Sequence, residues 1–145
     1  MTSKREQVIS SLHNKLKILE SATISIYRNP DKPQKIPAGG IIILRDGGGE
    51  EPEVLLSPLT YIYEHSISIE VMINNAYADR QGTTLDDLLM IIENLILNNR
   101  SMNGLAEWME AQAPEFLQEA VDGAPAIRAA TITVLARFST NSPLH

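Results

Sequence analysis

The stretch that decides the fold is YIYEHSISIEVMIN, residues 61–74, in which apolar and polar side chains largely alternate. Its odd positions form the mainly apolar set, namely Tyr61, Tyr63, His65, Ile67, Ile69, Val71 and Ile73. A period of two predicts a β-strand with one buried face and one wetter face. At roughly 3.3 Å per residue this strand would span on the order of 45 Å. Typical strands have only about 5–6 residues, so the length of this ribbon has to be explained by the function.

Further strands are predicted on both sides of the ribbon. A second long segment with the same alternation covers residues 127–140, where Ile132 and Val134 are separated by threonine. Apolar or alternating character also predicts shorter strands at residues 22–28, at 41–45, at 54–57 and within 114–126.

The connections between these strands follow from turn residues. Residues 46–53, DGGGEEPE, are predicted to form a flexible acidic turn, so that the strands at 41–45 and 54–57 would pair as a hairpin. The Pro-rich and Gly-rich residues 29–40 indicate a loop, and Asp122–Gly123 indicates a turn.

Three helices are predicted from helical spacing and capping residues. The first follows a capping box of Ser3 and Glu6, and the second begins after Thr84 and continues to about residue 98. The third is the short segment LAEWMEA, residues 105–111. The second helix is apolar over a wide arc, and Met90 and Leu97 form a separate apolar spot on its far side. We therefore expect this helix to contact more than one surface.

The order of elements favours an α+β fold. Consecutive strands in the middle of the chain predict a mostly antiparallel sheet with long strands packed against two or three helices. We expect one domain over residues 1–140 and a flexible C-terminal tail at residues 141–145.

Composition excludes several classes of function. The chain has 145 residues, no cysteine and a net charge of −6. Disulfide frameworks and thiolate metal sites are therefore excluded, and an acidic chain is a poor nucleic-acid binder because that affinity comes from Lys and Arg. The polar opening MTSKREQ and the short apolar runs predict neither a signal peptide nor a membrane segment, so we expect a soluble cytoplasmic protein.

Residues suited to catalysis or ligand binding are few. The three histidines show no metal-ligand spacing, and the glycines at 47–49 lead into glutamates that would repel phosphate. His65 could serve as a general base, but Ser66 and Ser68 would point to the opposite face of the strand. We expect no catalytic, cofactor or metal site, with His65 as a semi-buried structural residue. Trp108 is interpreted as a core residue, with a protein interface as the alternative.

These signals point towards assembly. Long strands have exposed edges that must be covered, and a neighbouring subunit in a closed ring is one way to cover them.

The chain resembles the tail-terminator (tail-completion) proteins of long-tailed bacteriophages and prophages over residues 8–140. The resemblance lies in an ordered series of segments. After the opening helix these are ISIYRNP (24–30), IIIL with DGG (41–48), HSISIEVMI (65–73), LDDLLMIIENLILNN (85–99), RSMNGLAEW (100–108) and APEFLQEAVDGAPAIRAATITVLARFST (113–140). Asn103-Gly104-Leu105 looks like the small-residue turn that the family places before a short helix.

The resemblance implies a structural role without catalytic residues. Members of the family form a six-subunit ring that caps the tail tube, stops its polymerisation and offers a joining surface to head-neck connector proteins. It further implies assembly in the bacterial cytoplasm and a final place at the neck-proximal end of the virion tail. The sequence predicts no large basic surface, which fits a ring through which DNA slides without being bound tightly. Subunit or lumen contacts are hypothesised for Asp46, Glu50, Glu51, Glu53, Met90 and Leu97.

Two alternatives stay open at this point. One is a small acyl- or phosphoryl-transfer enzyme that uses His65, and the other is a component of a related injection-tube assembly. Sequence leaves open the number of subunits, the virus or prophage origin, the identity of the tube and neck partners and the ring face that meets the tube.

Overall fold

The structure is a computed structural model that describes residues 2–32, 35–49, 51–74, 84–119 and 127–144. In these ranges it has two helices and seven strands. In chain order they are α1 Lys4–Lys17, β1 Ile24–Arg28, β2 Gly40–Gly49, β3 Glu53–Leu56, β4 Leu59–Asn74, α2 Leu85–Leu97, β5 Trp108–Ala111, β6 Glu115–Glu119 and β7 Ile127–Thr140.

The long ribbon β4 and the strand β7 form the centre of one sheet. They pair antiparallel along fourteen register positions, from Tyr61 opposite Thr140 to Asn74 opposite Ile127. The predicted alternation is confirmed because His65 and every second residue up to Ile73 are buried. The strand predicted at residues 127–140 is also confirmed, and its even positions face the same core.

Each central strand has two shorter strands placed end to end along its outer edge. β2 and then β3 pair with β4, whereas β5 and then β6 pair with β7. β1 pairs with β2 in parallel and forms an outer edge. The sheet is therefore mixed but mostly antiparallel, and the α+β prediction is confirmed at that level.

Two predictions for the region around residue 50 are wrong. Strand β2 does not stop at residue 45 but continues to Gly49, and β3 pairs with β4 instead of β2. A bulge between Arg45 and Gly48 permits this continuation, with Gly47 at φ 68°. A Cβ at Gly47 would overlap with the carbonyl oxygen of Ser66, so only glycine fits there. The partners of Gly48 and Gly49 are Ser66 and His65 in the middle of β4, which the local DGGG sequence could not reveal.

The third predicted helix is also wrong. Residues 98–105 form turns, and Trp108–Ala111 form the strand β5 opposite Val134–Arg137. Met109 is buried between exposed neighbours, as a period of two requires. Leu105, Trp108 and Met109 also fit helical spacing, because a segment this short satisfies both periods.

Both helices pack on one face of the sheet. Thr84 and Asp87 make the reciprocal hydrogen bonds of a capping box at the start of α2. Ser3 caps α1 by accepting a hydrogen bond from the Glu6 backbone, but the Glu6 carboxylate binds Arg28 and Ser10. One buried cluster joins the helices to the sheet, and its helical members are Val8, Ile9, Leu12, Leu16, Leu85, Leu88, Ile92 and Ile96.

Other sequence predictions stay open. The turn at Asp122–Gly123 lies outside the described residues. At the C-terminal end, the Tyr63 hydroxyl donates a hydrogen bond of 2.6 Å to the Pro143 carbonyl. Ring formation stays a prediction.

Candidate functional site

Asp46, the first of the hypothesised contact residues, is engaged within the chain. Arg28 donates to both oxygens of its carboxylate at 2.8 and 3.0 Å and to both oxygens of Glu6 at 2.8 and 2.7 Å. These charged hydrogen bonds lower the pKa of Glu6 and of Asp46 and raise the pKa of Arg28. The network joins α1, β1 and β2, so Asp46 stabilises the fold of its own chain.

His65 supports the same bulged segment. Its Nε2 lies 2.6 Å from the carbonyl oxygen of Asp46. A carbonyl oxygen can only accept, so Nε2 carries the proton and donates. Ser66 and Ser68 lie on the other face of β4, as expected from the strand period. The ring is buried and its Nε2 holds the end of β2, which fits the structural interpretation of His65.

Two of the remaining acidic candidates, Glu51 and Glu53, are among the described residues. Glu51 and Glu53 are exposed on either side of the start of β3, and Glu50 lies outside the described residues. Glu53 is opposite Ile62, an even position of β4, so its side chain faces away from the helices.

Met90 and Leu97 are exposed on α2, as the apolar spot on its far side predicts. Met90 is 52% exposed and borders a groove of about 240 Å³ between α2 and the β5–β6 connection. We call this the α2 groove, and its main lining residues are Asp86, Leu89, Met90, Ile92, Glu93 and Phe116. Leu97 does not line it, so the structure separates the two residues that the sequence had grouped.

Phe116 was not singled out from the sequence. It is 63% exposed and lies opposite Ala130, which places it on the helix side of the sheet. The short acidic-apolar segment around it gave no distinct signal, because its position beside α2 depends on pairing with β7.

A second apolar surface, which sequence reasoning also missed, is the hairpin of β3 with the start of β4. Leu56 is 81% exposed, and Val54, Leu55 and Leu59 are each nearly half exposed. We call residues 53–61 the bare hairpin. The available signal was VLLSPL itself, a run with apolar residues on both faces of a strand.

The bare hairpin continues the core face of the sheet beyond the helices. Val54 is opposite Tyr61, and Leu56 is opposite Leu59. Cross-strand partners share a face, and odd positions of β4 face the core. Tyr63 is the last of these to join the core and stacks on Phe138 with ring centroids 5.5 Å apart. From Tyr61 outward, this face is less buried than the core.

Trp108 is not a core residue, so that interpretation is wrong. It is 46% exposed, and the Arg100 guanidinium lies 4.0 Å from the centre of its ring. Its alternation with the buried Met109 puts it on the sheet face away from the helices. A role for Trp108 in an interface stays a prediction.

His13 is a half-buried residue, and it contains the one buried side-chain polar atom that lacks a hydrogen-bond partner within the described ranges. The atom is Nδ1, and burial lowers the pKa of the ring.

Comparison of the chain with protein-family models and with curated proteins gave no significant match. No helix in the described ranges combines the length and apolarity needed to span a bilayer. Over the same residues, His, Asp and Glu nowhere gather in a group of three that could hold a metal ion. The apolar surfaces are therefore the features from which a function is proposed.

Proposed function

We propose that the protein is a tail-terminator subunit of a long-tailed phage or prophage. Six copies form a ring that caps the tail tube, ends its polymerisation and offers a surface to head-neck connector proteins. The observation that supports this is the exposure of apolar side chains at two opposite edges of one sheet, on the bare hairpin and on the α2 groove. Such patches mark interaction surfaces and are a liability when left open to water.

The position of the two patches favours a ring over a twofold dimer. They lie on different strands and at opposite edges, since β3 flanks β4 and β6 flanks β7. A contact between unlike patches repeats from subunit to subunit and closes when the rotation permits. One annular face then complements the last ring of tube subunits, and the other lacks the surface that tube growth needs.

This proposal places the protein in the bacterial cytoplasm during assembly and at the neck-proximal end of the finished tail. A lumen without a large basic surface lets DNA slide, because strong binding needs many Lys or Arg contacts to phosphate. No observation favours the enzyme alternative, since His65 is buried and donates to a backbone carbonyl.

Native mass is the first test of the proposal. Light scattering or native mass spectrometry at micromolar concentration is expected to give about six copies, with annular particles in electron microscopy. A protein that stays a monomer at all concentrations would overturn the ring.

The tube-capping step needs a separate test. Added rings are expected to shorten tubes grown from the tail-tube protein of the same genome, with extra density at one tube end. Tubes of unchanged length and bare ends would leave a ring without the terminator role.

The acidic residues are tested on the same particles. Replacing Glu50, Glu51 and Glu53 together with alanine is expected to change ring formation or the joining of tails if they line a subunit or lumen contact. A ring of unchanged mass that completes tails normally would remove them from the interface.

A further inference from the structure

The helix-side face of the bare hairpin is apolar and has cationic residues beside it. Val54, Leu56 and Leu59 supply the apolar atoms. Lys4 lines a hollow together with Thr60 of the hairpin, and Arg5 lines another with Tyr63, two residues beyond the hairpin on the core face of β4. Neither cation forms an ion pair with another described residue. The acidic Glu53 points to the opposite face, so this surface combines leucine side chains with positive charge.

The α2 groove has the opposite combination. Leu89, Met90 and Phe116 supply an apolar lining, and Asp86 and Glu93 supply negative charge. The ion pairs found in the described ranges include neither carboxylate. Arg128 lines a neighbouring hollow together with Phe116, so the negative charge lies on the α2 side of the groove. The groove therefore complements the hairpin face, because both surfaces are apolar and their charges have opposite signs.

The size of the groove also fits. Its volume is about 240 Å³. An apolar cavity of about 150 Å³ is enough to bind benzene, with six carbons. The four-carbon side chain of Leu56 is smaller than benzene, so one or two hairpin side chains have room.

One subunit cannot bring its own two surfaces together. Phe116 is level with Ala130 and Val71, twelve residues along β4 from Leu59. Twelve residues of strand correspond to roughly 40 Å. The hairpin and the groove also lie at opposite edges of the same sheet, so the partner has to be another molecule.

We propose that the bare hairpin of one copy docks in the α2 groove of the next copy. Val54, Leu56 and Leu59 cover Met90 and Phe116, and Lys4 and Arg5 approach Asp86 and Glu93. The contact joins unlike patches, as a ring requires. This inference rests on the proposed function and names its subunit interface.

Single-cysteine variants test the contact directly, because the natural chain has no cysteine. Leu56→Cys and Met90→Cys are prepared separately, mixed and treated with a short bismaleimide. A cross-linked dimer is expected in the mixture and in neither variant alone. Ile18→Cys mixed with Leu56→Cys is the matched control, since Ile18 is 80% exposed and lies at the end of α1.

Several results would overturn the docking. Cross-linking of Leu56→Cys with itself would indicate a contact between two hairpins, and a mixture no more reactive than the Ile18 control would exclude the groove. If the particles still have the mass of a ring in those experiments, the proposed function stands and only this interface fails. A monomer at every concentration would remove both.

Charge reversal gives a second, independent readout. The double variant Lys4→Glu with Arg5→Glu is expected to lower the assembled fraction at low salt at least tenfold, and so is Asp86→Lys with Glu93→Lys. In a mixture of the two double variants, both contacts between unlike variants join opposite charges again, so assemblies in which the two variants alternate are expected. Met90→Glu is expected to give monomers, whereas Leu97→Glu, outside the groove, is expected to keep the assembly. Equal behaviour of these two variants would contradict the docking.

Discussion

The two halves of strand β4 follow the same sequence rule but have different surroundings. From His65 to Ile73 the odd positions are buried beneath the helices. From Leu59 to Tyr61 the same face continues with apolar residues, but it is less buried, and its neighbours on β3 are exposed. The alternation thus states which face is apolar and leaves open what covers it.

The difference between the halves is where the helices end. α1 and α2 pack on β4, β5 and β7 and form one core. The β3–β4 hairpin projects past β7, whose last residue, Thr140, is opposite Tyr61. A strand that extends beyond its helical cover leaves its core face exposed, and in the proposed ring this exposed face is the reason for the unusual length of the ribbon.

The largest contrast is expected from truncating one apolar residue in each half. Ile69→Ala is expected to lower the free energy of unfolding by about 2–5 kcal/mol, because it leaves a cavity in the core. Leu56→Ala is expected to change the stability of the protomer by less than about 0.5 kcal/mol. Urea denaturation measures both.

Assembly would obscure this comparison, so both variants are measured in the Met90→Glu background. A loss of more than about 1 kcal/mol for Leu56→Ala in that background would mean that the hairpin is covered within its own chain.

The next largest effect concerns the bulge that carries β2 towards the bare half. Gly47→Ala is expected to lower the free energy of unfolding by about 1–3 kcal/mol, because the positive φ and the Ser66 carbonyl both disfavour a Cβ at this position. Gly48→Ala is the matched control because a Cβ there has no neighbour within 4 Å. Similar losses for both variants would contradict the bulge register.

The Arg28 network is expected to have a smaller, pH-dependent effect. Arg28→Ala is expected to lower the free energy of unfolding by about 1–2 kcal/mol near neutral pH. This is less than several charged hydrogen bonds would contribute in a buried site, because both carboxylates are more than a third exposed and solvent screens their charge. Arg28 lowers the pKa of Glu6 and of Asp46 from ordinary values of 4.5 and 3.8.

The sign of the pH dependence follows from those lowered pKa values. The stabilisation is complete above the ordinary pKa values and is lost as the pH falls through the lowered ones. The difference between the natural protein and Arg28→Ala is therefore expected to shrink in acid, as denaturation at several pH values would measure. Arg45→Ala, which breaks only the single, partly exposed ion pair with Glu70, serves as the control. A constant difference down to pH 2 would contradict the network.

The smallest effect is expected at Trp108, on the outer face of β5. Arg100→Ala removes the guanidinium above the ring and is expected to cost about 0.5–1 kcal/mol. Because Trp108 is the sole tryptophan, its fluorescence emission reports the change directly. An unchanged emission spectrum would mean that the stacking is not populated.

Periodicity predicted the long elements and the positions of the short strands β1, β3 and β6, but it gave the wrong element type for β5. β4, β7 and the caps of α2 were readable because many residues share one period or one local bond. β5 was mistaken for a helix because four residues fit both periods. The partner of β3 was predicted wrongly because β3 lies between β2 and β4 in the chain, and a hairpin with either strand is compatible with the sequence. The sequence did not indicate Phe116 or the bare hairpin as exposed apolar sites, because exposure depends on whether a helix packs on that part of the strand.

The sequence by itself determined the alternating ribbon, the helix caps and an α+β order of elements, because these depend on neighbours within about one turn or one strand. Only the tertiary structure decided where the helical cover ends, that Arg28 holds Asp46, and that Met90 and Phe116 border one groove. Those facts join residues far apart in the chain. The register of β4 with β7 sets the distance by which the hairpin extends past the core, whereas the parallel pairing of β1 with β2 brings Arg28 to Asp46.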